Sequence, residues 1–263
     1  MLVNCYFVSL TSFFTLINFF HPLHAELSTL EYLNQNQLTQ VGDMIVESEW
    51  VLDPEQESSE DGISSQYVLK TVRPWVNGIL RYQFSKNINQ RERQEFLSYC
   101  SGMGEFADVK CLPKRQKDKD FIFIEKTNEN VCGLSYLGRA GGQQPLKIRC
   151  WRRRTIQHEL MHAFGVAHEH NRMDRDDYIS IIWENLDDRF RSQYYKVKLD
   201  QVALYLNYYD FDSILHYDSY SGSKNGKIVF YRRENKSTVK QTESMSFGDH
   251  YTLYALYGGT RPR

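Results

Sequence analysis

The chain has 263 residues, 41% of them hydrophobic and 25% charged, which excludes a low-complexity or disordered chain and fits a soluble protein with one sizeable core. The formal net charge is −1, but the charges are unevenly distributed along the chain. Residues 1–65 contain no Lys or Arg, whereas residues 26–65 carry ten acidic groups. The segment 26–65 is therefore −10 and residues 66–263 are +9. We expect the two parts to attract each other; the alternative is a solvated acidic linker.

The first 25 residues are apolar from Leu2 to Phe20 and end in Leu-His-Ala. We predict a signal peptide over 1–25, and hence an exported protein, although the segment lacks a basic start and a small residue three positions before the cleavage point. Asn, Ser and Thr interrupt the apolar run, so we expect no stable membrane anchor.

Residues 53–66 read DPEQESSEDGISSQ, which is acidic, rich in Ser and almost free of large apolar groups. Such a composition is typical of an exposed linker that proteases can reach. We therefore predict an acidic propeptide and linker over 26–65 and one domain over 66–263.

Within the domain, hydrophobic periodicity predicts mainly strands first and then helices. The predicted strands are 78–84, 121–125, LSYLG and LKIRC; the predicted helices are 90–106, 155–164 and a closing helix at 247–258. This order favours an α+β domain. The run Arg152–Arg154 precedes the second predicted helix, and we expect it to line the rim of a cleft.

The sequence HELMHAFGVAH (158–168) predicts a metal site. His158 and His162 are four residues apart, so on a helix they share one face and can bind the same ion. Gly165 allows the chain to turn sharply after the helix and to bring His168 back as a third ligand. Three nitrogen ligands with one open position are typical of a catalytic zinc ion, and we expect one Zn²⁺ per chain.

Glu159 points away from the face that carries the two histidines and can reach a water without binding the ion. Zinc lowers the pKa of a bound water and polarises a scissile carbonyl, and Glu159 would take the proton of that water and pass it to the leaving amine. The alternative, an amphipathic helix with solvated histidines, is disfavoured by Gly165 and His168 at fixed offsets.

The stretch HELMHAFGVAHEHNRMDRDDY (158–178) resembles the zinc signature of the astacin family of metalloendopeptidases, a branch of the metzincins. The resemblance covers nearly all of residues 66–258. It includes Glu169 directly after the third histidine and, elsewhere, Trp75, Gly78, Tyr82, CGLSYLGR (132–139), Cys150 and SILHY (213–217). It implies a twisted N-terminal sheet with two long helices, an active-site cleft, and a mostly irregular C-terminal part with a closing helix.

The same resemblance implies roles for further residues. Tyr217 matches a tyrosine that can bind zinc and that stabilises the oxyanion when substrate is present. Glu169 matches a buried glutamate that meets the mature N-terminus; the alternative is half of a surface ion pair. Leu215 stands where the family has a methionine beneath the zinc, and the similar volume of Leu predicts that the site survives.

The family propeptide carries an aspartate that occupies the open zinc position, and QVGD (40–43) is the matching stretch. Asp43 would then keep the zymogen latent, whereas the alternative is a simple Gly-Asp turn.

Four cysteines remain after removal of the predicted signal peptide, and two disulfides are expected in an exported protein. The resemblance implies the pair Cys132–Cys150. We predict Cys100–Cys111 for the other two; the alternative is two free thiols.

These features predict a secreted zinc endopeptidase made as a zymogen. Its partner would be a protein or peptide substrate, and the basic body is compatible with acidic residues near the scissile bond. We expect no nucleic-acid partner, because aromatic residues are not interleaved with the basic runs. The alternative is an inactive secreted binding protein that retains the fold, a hypothesis that only Leu215 favours.

Overall fold

The computed structural model describes residues 38–52, 72–198 and 209–260. The predicted signal peptide (1–25) and the predicted linker (53–66) lie outside the described residues. Among the helices that are described, none combines the length and the apolar character that a membrane crossing needs.

A seven-stranded sheet forms the upper half of the protein. Its strands are β1 (Leu38–Val41), β2 (Met44–Glu47), β4 (Ile79–Phe84), β5 (Lys110–Pro113), β6 (Phe121–Lys126), β7 (Gly133–Tyr136) and β8 (Gln143–Ile148). Their order is β1-β2-β7-β8-β6-β4-β5. The strands β8, β6, β4 and β5 are parallel to one another, and β7 runs antiparallel to β8. The predicted propeptide contributes β1 and β2, so it extends the domain's own sheet.

Two helices cover this sheet. Helix α1 (Gln90–Met103) begins with a capping box between Asn89 and Glu92, and it buries Phe96, Cys100 and Met103 at helical spacing. Helix α2 (Arg153–Ala163) is buried over almost its whole length. The two helices and the sheet share one hydrophobic core, which also contains Leu215 from the lower half.

The lower half, described over residues 169–198 and 209–260, consists mostly of turns and short 3₁₀ segments. The regular elements among these described residues are β9 (Ile179–Ile181), β10 (Lys196–Val197), β11 (Phe230–Arg232) and the closing helix α3 (Phe247–Tyr257). The short strand β3 (Val51–Leu52) of the N-terminal segment pairs with β10. A capping box between Ser246 and Asp249 starts α3, and a separate apolar cluster that includes Tyr194 and Phe230 fills this half.

This architecture confirms the predicted α+β fold, including the two helices against a sheet and the irregular lower half. Both expected disulfides are present, with Cα–Cα distances of 4.7 Å for Cys132–Cys150 and 6.2 Å for Cys100–Cys111. The prediction for the arginine run was wrong in part. Helix α2 begins at Arg153, and Arg154 is only 7% exposed, so Arg154 belongs to the interior and not to a cleft rim.

Candidate metal centre

The three predicted histidines converge on one point between the two halves. Their Nε2 atoms are 3.0 Å apart for His158 and His162, 3.1 Å for His158 and His168, and 3.2 Å for His162 and His168. His158 and His162 lie on successive turns of α2. Gly165, with φ of +103°, then reverses the chain so that His168 returns to the same point.

The opposite nitrogen of each histidine ring has a hydrogen-bond acceptor. His158 Nδ1 donates to Ile214 O at 2.9 Å, and His162 Nδ1 donates to Val166 O at 2.7 Å. His168 Nδ1 donates to Asn171 Oδ1 at 3.1 Å. Because Nδ1 carries the proton in each ring, the three Nε2 lone pairs face one another.

The electrostatics of the site favour the neutral form of two of these rings. Burial lowers the pKa of His162 to about 3, although Asp43 opposes the shift, and burial also lowers the pKa of His168. A neutral imidazole with a free lone pair is the form that binds a metal ion.

The spacing of these atoms fits a zinc ion. Ligand nitrogens at 2.0–2.1 Å from a tetrahedral zinc ion would be about 3.3–3.4 Å from one another, close to the distances between the three Nε2 atoms. Three mutually facing lone pairs repel one another unless a cation lies between them, so the donor set itself requires one. The prediction of a metal site with these three histidines is thus supported by geometry.

Asp43 lies at the fourth corner of this group. Its Oδ1 is 2.8 Å from His168 Nε2 and 3.5 Å from His162 Nε2, and its Oδ2 is 3.3 Å from His158 Nε2. Together the four side chains form a group that could hold one metal ion. Burial would raise the pKa of Asp43, but the neighbouring histidines outweigh this effect and hold the pKa well below its usual value.

A tight hairpin brings Asp43 to this position. Val41 pairs with Met44 across a two-residue turn formed by Gly42 and Asp43, and Gly42 has a φ of +68°. A Cβ atom at residue 42 would lie 2.6 Å from Tyr217 Oη, so only Gly allows the hairpin to approach the site this closely. A Gly-Asp turn and an aspartate beside the histidines were alternatives in the sequence. In the structure both hold, because the turn places the Asp43 carboxylate next to His168.

Glu159 is a buried carboxylate without a partner. Both of its oxygens are buried, and neither has a hydrogen-bond partner among the residues that the structure describes. Burial raises its pKa well above the usual value, and the charge of Asp43 adds to this shift. A Cβ atom at Gly133 would lie 2.1 Å from Glu159 Oε1, so the glycine makes room for the carboxylate. A buried acceptor pair of this kind fits a site that binds a water molecule.

Tyr217 borders the hairpin from below. Its hydroxyl donates to Gln193 Oε1 at 3.0 Å, and its ring stacks on His170 with centroids 4.0 Å apart. Burial raises its pKa well above the usual value, so the phenol keeps its proton. The tyrosine is therefore a protonated hydrogen-bond donor next to the histidines.

A polar network fixes the turn beneath the site. The carboxylate of Asp249 accepts hydrogen bonds from Ile214 N at 2.9 Å and from Ser213 Oγ at 2.7 Å, and Ser213 Oγ accepts one from Leu215 N at 3.0 Å. Arg154 donates to Ile214 O at 3.3 Å, the carbonyl that also orients His158. Leu215 is 1% exposed and fills its place in the core.

Three residues that hold the site in place were not predicted from the sequence, namely Arg154, Asn171 and Asp249. The only signal of Asn171 in the sequence is its position three residues after the third histidine, whose Nδ1 donates to its side chain. Glu169 was expected to meet the mature N-terminus; in this structure its Oε1 accepts from Arg172 Nη1 at 2.5 Å and from Asp210 N at 2.8 Å. Burial raises the pKa of Glu169 to about 7, and Arg172 opposes the shift.

The fold and the three histidines beside Glu159 define an HExxH-type metal site between two halves of an α+β domain. The family model for astacin, a family of peptidases, matches residues 68–258. The chain belongs to the astacin family.

Several known proteins are similar to this chain. Zinc metalloproteinase nas-8 of Caenorhabditis elegans is 35% identical over 205 residues, which are 77% of this chain and 49% of that protein. Zinc metalloproteinase nas-8 of Steinernema carpocapsae is 33% identical over 77% of this chain and 49% of its own length. The chain thus spans about half the length of these curated relatives.

Solved structures agree with the family and the fold. High choriolytic enzyme 1, a hatching enzyme zinc-protease from the medaka fish Oryzias latipes, matches with a TM-score of 0.62 at 28% identity. The match covers 75% of this chain and 98% of that one. Myroilysin, with a TM-score of 0.50 and 16% identity, shares the fold.

Proposed function

We propose that this chain is an exported zinc endopeptidase that is made as a zymogen. The observation that carries this proposal is the buried Glu159 carboxylate, which has no hydrogen-bond partner among the described residues and lies beside three histidines whose Nε2 atoms converge. Membership of the astacin family and the names of the relatives, which are zinc metalloproteinases, support it.

The chain's own residues divide the chemistry among them. His158, His162 and His168 hold the zinc ion, which when bound lowers the pKa of a water molecule and polarises the peptide carbonyl. Glu159 accepts the proton of the attacking water and delivers it to the leaving amine, a role for which its buried carboxylate beside the histidines is placed. Tyr217 keeps its proton at neutral pH and donates a hydrogen bond to the developing oxyanion.

Asp43 keeps the zymogen latent in this proposal. Its carboxylate lies at the open corner of the histidine group, so the place of the water is taken. Strand β2 pairs with β7 in parallel, Met44 with Ser135 and Ile45 with Tyr136, and so blocks the sheet edge next to the site. Cleavage in the predicted linker, followed by release of residues 26–65, would expose both the corner and the edge.

The substrate is a protein or peptide that binds in extended form. Once β2 has left, the free edge of β7 can pair with a substrate strand by β-augmentation. The basic character of residues 66–263 favours substrates with acidic residues near the scissile bond. Export through a signal peptide over 1–25 is in keeping with the two disulfides.

The test is an assay with one substitution. We expect the chain, once activated by limited proteolysis, to cleave casein, to lose activity with a chelator and to regain it with zinc. The Glu159→Ala variant should bind one zinc ion with unchanged affinity and show no activity, because the proton acceptor is missing. If the wild type and the variant bind zinc and are equally inert, the peptidase proposal fails. The chain is then the alternative, an inactive secreted binding protein that retains the fold.

A further inference from the structure

The N-terminal segment makes a second contact with the domain, away from Asp43. After the 3₁₀ turn Ser48–Trp50, strand β3 pairs antiparallel with β10, Val51 with Val197 and Leu52 with Lys196. Lys198 N donates to Trp50 O at 2.7 Å, which adds a further bond to this ladder. The backbone of the segment is thus held by the lower half as well as by β7.

The Trp50 side chain packs into an apolar cluster that the segment and the domain share. It is 9% exposed, and the cluster joins Val41, Met44 and Val46 of the segment to three residues of the domain, Leu137, Ala167 and Val197. With the segment in place these three residues are 5%, 2% and 2% exposed. Leu137 follows β7, Ala167 directly precedes His168, and Val197 lies in β10, so the groove begins beside a histidine of the metal site. We call these three residues the aromatic groove.

The aromatic groove contacts a side chain through shape and apolar area, and its binding does not depend on a polar group. Trp50 Nε1 is buried and has no hydrogen-bond partner in the part of the chain that the structure describes. The ladder with β10 uses backbone atoms alone, which any sequence can supply. A site with these properties favours a large aromatic side chain on an extended backbone, because that side chain brings the most apolar area.

Release of the segment would leave this surface open beside the active site. The edge of β10 would lose its partner strand, and the three groove residues would lose the apolar side chains of the segment that they cluster with, Trp50 among them. Unpaired edges and apolar patches next to a cleft are characteristic of peptide-binding sites.

We propose that in the activated enzyme the aromatic groove binds a large aromatic side chain of the substrate, on a stretch that pairs with β10. This inference rests on the proposed peptidase function and adds a specificity determinant to it. Trp50 lies seven residues from Asp43, so the aromatic residue is expected about seven residues from the scissile bond, within the roughly 25 Å that such a stretch can span.

Binding of synthetic peptides tests the groove without catalysis. The activated protein, freed of its propeptide, is titrated with a labelled peptide of residues 38–52 and with its Trp50→Phe, Trp50→Ala and Asp43→Asn variants. The series is run with zinc and with a chelator. We expect Trp50→Ala to weaken binding about 10–100-fold in both conditions and Trp50→Phe to retain most of the affinity. Asp43→Asn should weaken binding only when zinc is present. Equal affinity of the wild-type and Trp50→Ala peptides would overturn the proposal.

Hydrolysis of peptide substrates tests the specificity. The substrates share one scissile site and carry a single Trp at successive positions on either side, with Ala elsewhere at those positions. We expect kcat/KM to rise about tenfold or more at one distance and the Val197→Trp variant, whose new indole fills the groove, to lose this preference. Val76→Trp, at a site that is 66% exposed, is the matched control and should keep it.

The outcomes separate this proposal from the peptidase function. A position-independent kcat/KM, or a preference that survives Val197→Trp, overturns the groove as a specificity site. If no substrate is cleaved while the peptides still discriminate at Trp50, the groove is upheld as an aromatic-binding surface and the peptidase function falls.

Discussion

The metal-site helix and the N-terminal segment reach the same point by different means. Helix α2 places His158 and His162 through local geometry, and each ring is fixed by a hydrogen bond from Nδ1. The segment 38–52 reaches the site only because strands β2 and β3 are held by β7 and β10, which lie 80 or more residues further along the chain. The first arrangement belongs to the domain, whereas the second is a set of separable contacts.

This difference predicts how the two regions respond to change. A permanent site needs ligands fixed before the metal arrives, and loss of one ligand should be severe. A removable inhibitor needs several contacts of moderate strength, so that loss of one loosens it without unfolding the domain.

The largest effect is expected for a metal ligand. His162→Ala should lower zinc affinity by more than the roughly 10–100-fold that loss of an outer hydrogen-bond partner costs. Asn171→Ala removes the hydrogen-bond partner of His168 Nδ1, and its zinc affinity is the value to compare with that of His162→Ala. Competition with a chromophoric chelator measures both. Equal losses for the two variants would mean that His162 is not a ligand.

The next effect concerns latency. In the full chain, Asp43→Ala should raise peptidase activity before proteolysis by about 10–100-fold, because a charge-assisted contact of about 1.5–3 kcal/mol is lost. Ser48→Ala is the matched control, since Ser48 is exposed in the same segment and its hydroxyl contacts only Thr39 among the described residues. An unprocessed Asp43→Ala chain as silent as the wild type would remove the aspartate from the latency mechanism.

A smaller effect concerns the turn beneath the histidines. Burial raises the pKa of Asp249 to about 6, although its hydrogen bonds from Ile214 N, Ser213 and Ser246 N oppose the shift. A carboxyl group whose pKa is raised in the folded state favours folding below its unfolded pKa, and this contribution is lost as the pH rises through 6. We expect the loss between pH 4 and pH 7 to be on the order of 2 kcal/mol.

Urea unfolding of metal-free protein at the two pH values measures this contribution. The side chain of Asp249→Asn cannot titrate. Between pH 4 and pH 7 the free energy of unfolding of this variant should therefore fall by about 2 kcal/mol less than that of the wild type. The same pH dependence in both proteins would show that Asp249 keeps an ordinary pKa in the fold.

The smallest effect is expected at Leu215. Leu215→Met should change the free energy of unfolding by less than about 1.5 kcal/mol, because the two side chains have similar volumes. Zinc affinity should stay within a few fold of the wild-type value, since Leu215 supplies an apolar floor and no ligand. A gain of more than tenfold in zinc affinity would show that the leucine weakens the site.

The residues that the sequence predicted well are those whose positions follow from local geometry. The four-residue spacing of His158 and His162 defines one helix face, and Gly165 explains the return of His168. The strand pattern of 78–84 and the helix pattern of 90–106 were also confirmed, with the helix ending at Met103.

What the sequence could not predict depends on contacts between distant segments. Arg154 reads as a surface charge, yet it is buried because Ile214 and Thr242 supply carbonyl acceptors from the lower half. Trp50 lies in an acidic stretch without any periodicity, and its surroundings come from distant parts of the chain, with Leu137, Ala167 and Val197 in one cluster. The order of strands in the sheet, with β2 beside β7, likewise follows from tertiary packing.

Cobalt substitution tests most directly the central claim that Asp43 occupies the open corner of a metal centre. The visible spectrum of Co²⁺ responds to the ligands around it, so the full chain, the proteolytically activated chain and the full-length Asp43→Asn variant can be compared. We predict that the activated chain and the variant give similar spectra that differ from that of the wild-type full chain. Identical spectra for all three would contradict the claim.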